Sequence, residues 1–141
     1  MNEQDIVRLV ERDPWMMEVL REVAALELPD WMIGAGFVRS KVWDHLHGYA
    51  ERTRLPDIDV IYFDPADVRE ETEKALEQRL RAKFAAPWSV KNQARMHLKN
   101  HEEPYKSSED ALAHWVETPT CVAVTLNIIH AIDVMAGNRR A

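Results

Sequence analysis

A single cysteine, Cys121, stands among 141 residues, so no internal disulfide can form. It reads as a small buried apolar residue. No cysteine pair offers a zinc site. Of the six histidines only His97 and His101 have helical i, i+4 spacing, in a polar stretch around Lys99 and Asn100 that reads as surface. No apolar run approaches the ~20 residues a membrane helix needs, so no membrane partner is expected. The opening residues Met1-Asn2-Glu3-Gln4-Asp5 show no signal-peptide pattern, and the expectation is a cytoplasmic protein. Basic residues are also in short supply: 18 Lys and Arg against 24 Asp and Glu leave a net charge of −6. That balance favours solubility and argues against a broad nucleic-acid surface, while leaving room for a small basic pocket.

What is present is enough for one domain, residues 1–141. A chain of this size buries roughly 70% of the surface its unfolded form exposes and needs no covalent staple. No repeat, linker or low-complexity tract divides it. Residues 3–11 read as a short helix. Asp13 before Pro14 reads as an N-cap followed by proline at the first helical position. The helix should run to about Leu26, burying Trp15, Val19, Val23 and Leu26. After Pro29, Trp31-Met32-Ile33 reads as a strand. Phe37–Tyr49 follows as a helix with Val38, Val42, Leu46 and Tyr49 on one face, ended by Gly48. Asp57 to Phe63 is the best strand, rich in β-branched and aromatic residues. A long helix from about Pro65 to Phe84 has an acidic start and a basic end, as the helix dipole prefers; its Glu70–Lys83 charges read as a solvated face. Trp88 to Met96 reads as extended, Glu109–Val116 as a helix capped by Ser108, and Thr120–Leu126 as a strand. The stretch 128–134 fits strand or helix. This order implies an α/β (α+β) fold, a mixed sheet with helices packed mainly on one face.

Two features carry chemistry. The first is the passage strand–Gly34-Ala35-Gly36–helix. Glycines at a helix start let a ligand approach the backbone, where free N–H groups and the dipole favour an anion such as phosphate. Taken alone, such glycines more often mark only a tight turn, and the pattern is neither a dinucleotide fingerprint nor a P-loop. The second is Asp57-Ile58-Asp59. Residues i and i+2 of a strand project from one face, so two carboxylates sit side by side and repel. A divalent cation removes the repulsion, and magnesium commonly takes one or two carboxylates plus substrate phosphates. The bland alternative is that Asp57 merely caps the strand mouth.

At these residues the chain resembles the nucleotidyltransferase superfamily typified by DNA polymerase beta. More narrowly, it looks like a bacterial family of nucleotidyltransferases. The matching stretches are Ile33-Gly34-Ala35-Gly36-Phe37-Val38-Arg39, Val42-Trp43-Asp44-His45-Leu46-His47-Gly48, Asp57-Ile58-Asp59-Val60-Ile61-Tyr62-Phe63-Asp64 and Trp88-Ser89-Val90-Lys91-Asn92-Gln93-Ala94-Arg95-Met96-His97. The resemblance implies that Asp57 and Asp59 are catalytic and hold Mg2+, with two ions accommodated. It implies that Gly34, Ala35 and Gly36 receive the triphosphate. An acceptor hydroxyl of unknown identity would attack the α-phosphorus of a nucleoside triphosphate, and pyrophosphate would leave.

Other residues fit the same reading. Arg39, Trp43 and His47 recur at helical spacing away from the apolar stripe. Arg39 would meet phosphate and Trp43 a base or ribose; their bland role is a solvated arginine over a half-buried ring. Lys91, Gln93, Arg95 and His97 alternate along one strand face, with Lys91 a phosphate ligand or simply solvent-facing. Asn92 offers a neutral oxygen to the nucleotide or metal. Asp44 and His45 read as surface residues, and Trp15, Trp31 and Trp88 as core, with Trp115 closing the 109–116 helix.

The chain also departs from the superfamily. Ala35 replaces a usual serine. The strand from Trp88 to Met96 holds no third carboxylate, leaving Glu102, Glu103, Asp110 and Asp133 as candidates. Residues 127–141 read as a divergent or shortened tail that leaves a sheet edge open to pairing with a second copy. These departures support an alternative: a catalytically impaired nucleotide-binding or partner-binding module of the same fold.

Overall fold

Side-chain caps start the helical layer. Asn2 accepts from the backbone N–H of Asp5 at 2.9 Å, and the Asp5 carboxylate accepts from the N–H of Asn2 at 3.1 Å. This capping box opens α1 (Glu3–Glu11). Asp13 caps α2 (Pro14–Ala24) by accepting from Met16 N–H at 3.1 Å, with Pro14 leading the helix. The computed structural model describes residues 2–34, 36–96, 103–113, 122–127 and 132–136. Cys121, His97, His101 and Trp115 lie outside the described residues.

The chain continues through β1 (Met32–Gly34), α3 (Gly36–Leu46), β2 (Ile58–Tyr62), α4 (Glu70–Lys83), β3 (Trp88–Asn92), a 3-10 turn (Gln93–Arg95), α5 (Ser108–Ala113), β4 (Val122–Leu126) and β5 (Ile132–Ala136). The strands form one mixed sheet in the order β3-β2-β1-β4-β5. Only β2 and β3 are parallel; β1 runs antiparallel to both β2 and β4, and β4 antiparallel to β5. The stretch assigned to neither helix nor strand therefore supplies the strand beside β4.

Strand alternation sorts the two faces. Ile33, Ile58, Val60, Trp88, Val90 and Val124 face the helical layer and join Val19, Leu20, Phe37 and Leu80 in the main core. Full burial of each such side chain contributes roughly 1.5–3 kcal/mol. The opposite face carries a small second cluster, Met32, Ile61 and Ala123, covered by Leu112 of α5. The helices are thus mainly on one face, as expected, and the other face is covered only in part.

Several local expectations need correction. The helix expected from Pro65 begins at Glu70, because Asp64 and Asp67 close turns of their own: their carboxylates accept from Ala66 N–H at 3.0 Å and Arg69 N–H at 3.2 Å. Ser107, not Ser108, caps α5, accepting from Asp110 N–H at 3.0 Å. Ser108 is committed to Asp30 instead: its N–H donates to the carboxylate and its hydroxyl to the carbonyl, each at 2.7 Å. The α3 stripe is buried only at its start. Leu46 is 66% exposed and Tyr49 54%, since the helix runs past the sheet there. Gly48, at φ +66, ends α3 in the left-handed conformation that glycine tolerates. The charged face of α4 is not wholly solvated: Glu73 is fully buried and Glu77 nearly so.

Candidate functional site

β1 ends at Gly34 and α3 begins at Gly36. Across the antiparallel pair, Gly34 is the register partner of Asp59. The turn that opens α3 and the acidic strand therefore share a rung of the sheet. Asp57 lies just before β2 and is exposed, while Asp59 lies within it and is half-buried. Alternation sends both toward the face that α5 covers only in part. Ala35 lies outside the described residues.

Among the described residues nothing in the packing requires glycine at position 36. A Cβ there would meet Leu55 Cδ2 at 3.7 Å and Ser40 Oγ at 3.9 Å, both ordinary contacts, and Gly36 is not in the left-handed region.

On β3 the register partner of Asp59 is Ser89, and Lys91 is the partner of Ile61. Asp59, Ser89, Lys91, Gln93, Met96 and Tyr105 line a pocket of about 210 Å³ on this face. Of the run expected to alternate along one strand, Lys91 and Gln93 reach the pocket. Arg95 does not, because the chain leaves the strand at Asn92 for the 3-10 turn. The Arg95 guanidinium instead turns to Glu73, donating to its two carboxylate oxygens at 2.7 and 2.8 Å. That pairing raises the pKa of Arg95.

Asn92 is the clearest correction among the expected ligands. It shares its strand face with Trp88 and Val90, pairs in register with Tyr62 and is fully buried on the helix side. Its amide is spent internally. The oxygen accepts from Asp64 N–H and Ala94 N–H, each at 3.0 Å, and the nitrogen donates to the carbonyls of Asp64 at 2.9 Å and Asp67 at 2.8 Å. Period-two alternation from Trp88 already put it on the apolar side.

The third carboxylate finds no place among the described residues. No three His, Cys, Asp or Glu side chains among them converge as metal ligands. Asp110 accepts from Lys106 N–H at 2.9 Å, and Glu103 is exposed. Asp133 belongs to β5, three strands from β2, about 14 Å by strand spacing. Glu102 lies outside the described residues. Among the described residues the candidate donors are thus the two carboxylates of Asp57 and Asp59, hard oxygen ligands of the kind a small divalent cation takes.

Arg39 is exposed one turn into α3. Trp43 is 54% exposed, and its ring stacks on His47 with centroids 4.0 Å apart. Tyr49 follows, 5.6 Å from the His47 ring. Asp44, expected at the surface, is buried: it accepts from the Thr53 N–H at 2.9 Å and from the Thr53 hydroxyl, and these bonds lower its pKa against the opposing effect of burial.

The segment leading to Asp57 is clamped a second time. Burial alone would raise the pKa of Asp13. The Arg52 fork at 2.6 and 3.0 Å, the Met16 N–H and Lys41 at 3.0 Å outweigh it and hold the carboxyl at about 2. Arg52 also lies 4.4 Å from the centre of the Trp15 ring. Beside this contact a cavity of about 670 Å³ is bounded by Trp15, Arg52, Arg54, Leu55, Pro56 and Pro87. Leu55, one of its walls, also lies against Gly36 at the start of α3.

A family model described as Nucleotidyltransferase matches residues 21–138, a span that takes in all five strands. A solved NMR structure, described as revealing a CCA-adding enzyme head domain, is similar with a TM-score of 0.82 and 34% sequence identity, over 96% of this chain and 71% of that one. Among curated proteins none matches.

Proposed function

The chain belongs to the nucleotidyltransferase family, and on that premise we propose that it is a magnesium-dependent enzyme moving a nucleoside monophosphate from a nucleoside triphosphate to an acceptor hydroxyl. The observation that carries this reading is the shared rung of Gly34 and Asp59. It brings an anion-favouring helix start beside a cation-favouring carboxylate. The first N–H groups of α3 have no partner within the helix and lie at its positive end, so they favour phosphate. Asp57 and Asp59 would hold the magnesium ion. When bound, the ion neutralises charge on the phosphate oxygens during in-line displacement. Lys91, on the neighbouring strand and the same face, adds a cation toward the phosphates, and Arg39 adds another along α3. The acceptor oxygen bonds to the α-phosphorus, the bond from that phosphorus to the bridging oxygen breaks, and pyrophosphate and a proton are released.

One observation favours the second reading, a binding module without turnover: the β3 neighbours of the acidic strand on this face are Ser89 and Lys91, neither of them acidic. The test for both is a titration of Mg2+ with each nucleoside triphosphate, followed by amide NMR shifts and by pyrophosphate release over a panel of hydroxyl acceptors. Shifts clustered at 34–39 and 57–59 that vanish in Asp59→Asn support the site. Those shifts without pyrophosphate release from any acceptor favour the module. No shift there at millimolar nucleotide overturns both.

A further inference from the structure

The 210 Å³ pocket beside Asp59 contains a polar side chain that no described residue engages. Gln93 is 3% exposed, and among the described residues no group hydrogen-bonds its side-chain amide. Buried amides are ordinarily paired, and its neighbour Asn92 is fully so. The contrast comes from the turn they share. Asn92 N–H donates to Glu73 at 2.8 Å, and the Asn92 amide ties down Asp64 and Asp67 on the helix side. Arg95 is forked onto the same Glu73. With residues 92 and 95 anchored on one side of the sheet, the 3-10 turn delivers Gln93 to the other, into the pocket. The Gln93 amide is left unpaired among the described residues.

We propose that this pocket is the nucleobase subsite and that Gln93 reads the edge of the base. The inference rests on the nucleotidyltransferase reading above and adds where the base lies. Three properties point to a base rather than a phosphate or a larger body. A primary amide presents a donor and an acceptor side by side, which matches the adjacent donor and acceptor on a base edge; a phosphate offers acceptors only. The side chains of Met96 and Tyr105 give apolar surface for a ring, while Ser89 and Lys91 lie toward Asp59 where sugar and phosphate would follow. The volume holds a single ring system and falls below the range of drug-sized sites. Trp43 is the competing platform. It lies seven residues beyond Gly36, about 10 Å along α3, and one face of its ring is already stacked on His47.

The test compares inorganic tripolyphosphate with the non-hydrolysable α,β-methylene triphosphates of adenosine, cytidine, guanosine and uridine. Each is titrated with Mg2+ into the full chain and into Gln93→Met, which keeps the length of the side chain and removes the amide. Amide spectra away from the pocket confirm that the variant folds. The wild type is expected to prefer one base over another by tenfold or more, and Gln93→Met to flatten that preference while binding tripolyphosphate as before. Gln93→Glu, whose carboxylate only accepts, is expected to reorder the four bases, and it keeps the test open if Gln93→Met does not fold. A wild type indifferent to the base, or a preference that survives in Gln93→Met, overturns the assignment of the base while leaving the phosphate site standing. Tripolyphosphate that fails to move the Gly36 amide overturns the parent reading and this one together.

Discussion

Gly34 and Asp59 sit opposite one another on adjacent antiparallel strands. Directly opposed residues in such a pair lie about 4.5–5.5 Å apart between Cα atoms. A carboxylate and the approach to a helix N-terminus are therefore held at one another's side by backbone hydrogen bonding rather than by a mobile loop. The geometry is set before any ligand arrives.

Gly36→Ala separates the two possible reasons for that glycine. A methyl group fits the available space, and Gly is less favourable than Ala in a helix by about 1 kcal/mol. The variant is expected to be as stable as the parent or up to about 1 kcal/mol more so in thermal melts. Its binding of magnesium tripolyphosphate is expected to fall about tenfold, since each tenfold is 1.4 kcal/mol of lost approach. Unchanged binding would mean that the glycine serves the turn alone.

Asp13 gives a stability term with a definite sign in pH. Its folded pKa of about 2 lies below the ordinary 3.8, so the unfolded chain takes up the proton first as the pH falls. The resulting stabilisation, about 2 kcal/mol, is complete above pH 4 and is lost as the pH drops toward 2. Urea denaturation of the wild type and Asp13→Asn should give curves that differ at pH 7 and converge near pH 2.

Arg95→Ala is expected to be among the most damaging single changes, at about 3–5 kcal/mol, because it leaves the fully buried Glu73 carboxylate without its counter-ion. The double variant Arg95→Met with Glu73→Leu should recover most of that loss. Denaturant midpoints of the three proteins decide it; equal loss in the double variant would mean that packing and not charge is responsible.

Tyr62→Phe is expected to raise stability by up to about 1 kcal/mol. The Tyr62 hydroxyl is buried with no hydrogen-bond partner among the described residues. Burial, followed by the charge of Glu73, pushes its pKa up to about 12. Removing an unsatisfied group removes its desolvation cost. A loss of stability in guanidinium titrations would reveal a partner for the hydroxyl.

What could be read from the sequence was whatever depends on near neighbours. Asp13-Pro14 announced its cap, Asp57 to Phe63 its strand, and Gly48 its helix end, because each signal lies within a turn or two of its effect. The unread features span long separations. Glu73 sits in a helix with Glu70, Glu71, Lys74 and Glu77, and nothing local distinguishes it. Its burial is decided by Arg95 and Asn92, about twenty residues further on. Ser108 and Ser107 are equivalent as caps until Asp30, 78 residues away, claims one of them. Asp44 looked solvated because Thr53 belongs to a loop with no periodicity. Asn92 was legible and misassigned: its polarity suggested a ligand where its position in the alternation placed it in the core.

The stretch between α3 and β2 is pinned twice, by Thr53 on Asp44 and by Arg52 on Asp13. Both pins fall before Pro56 and Asp57, while residues 49–51 ahead of them are exposed. Tyr49 N–H still donates to the Asp44 carbonyl at 2.9 Å, so it is at 50 and 51 that length or composition can drift without the change being passed on to the acidic strand. The surface beside Tyr49 is thus a place where this fold can take on new contacts at little structural risk.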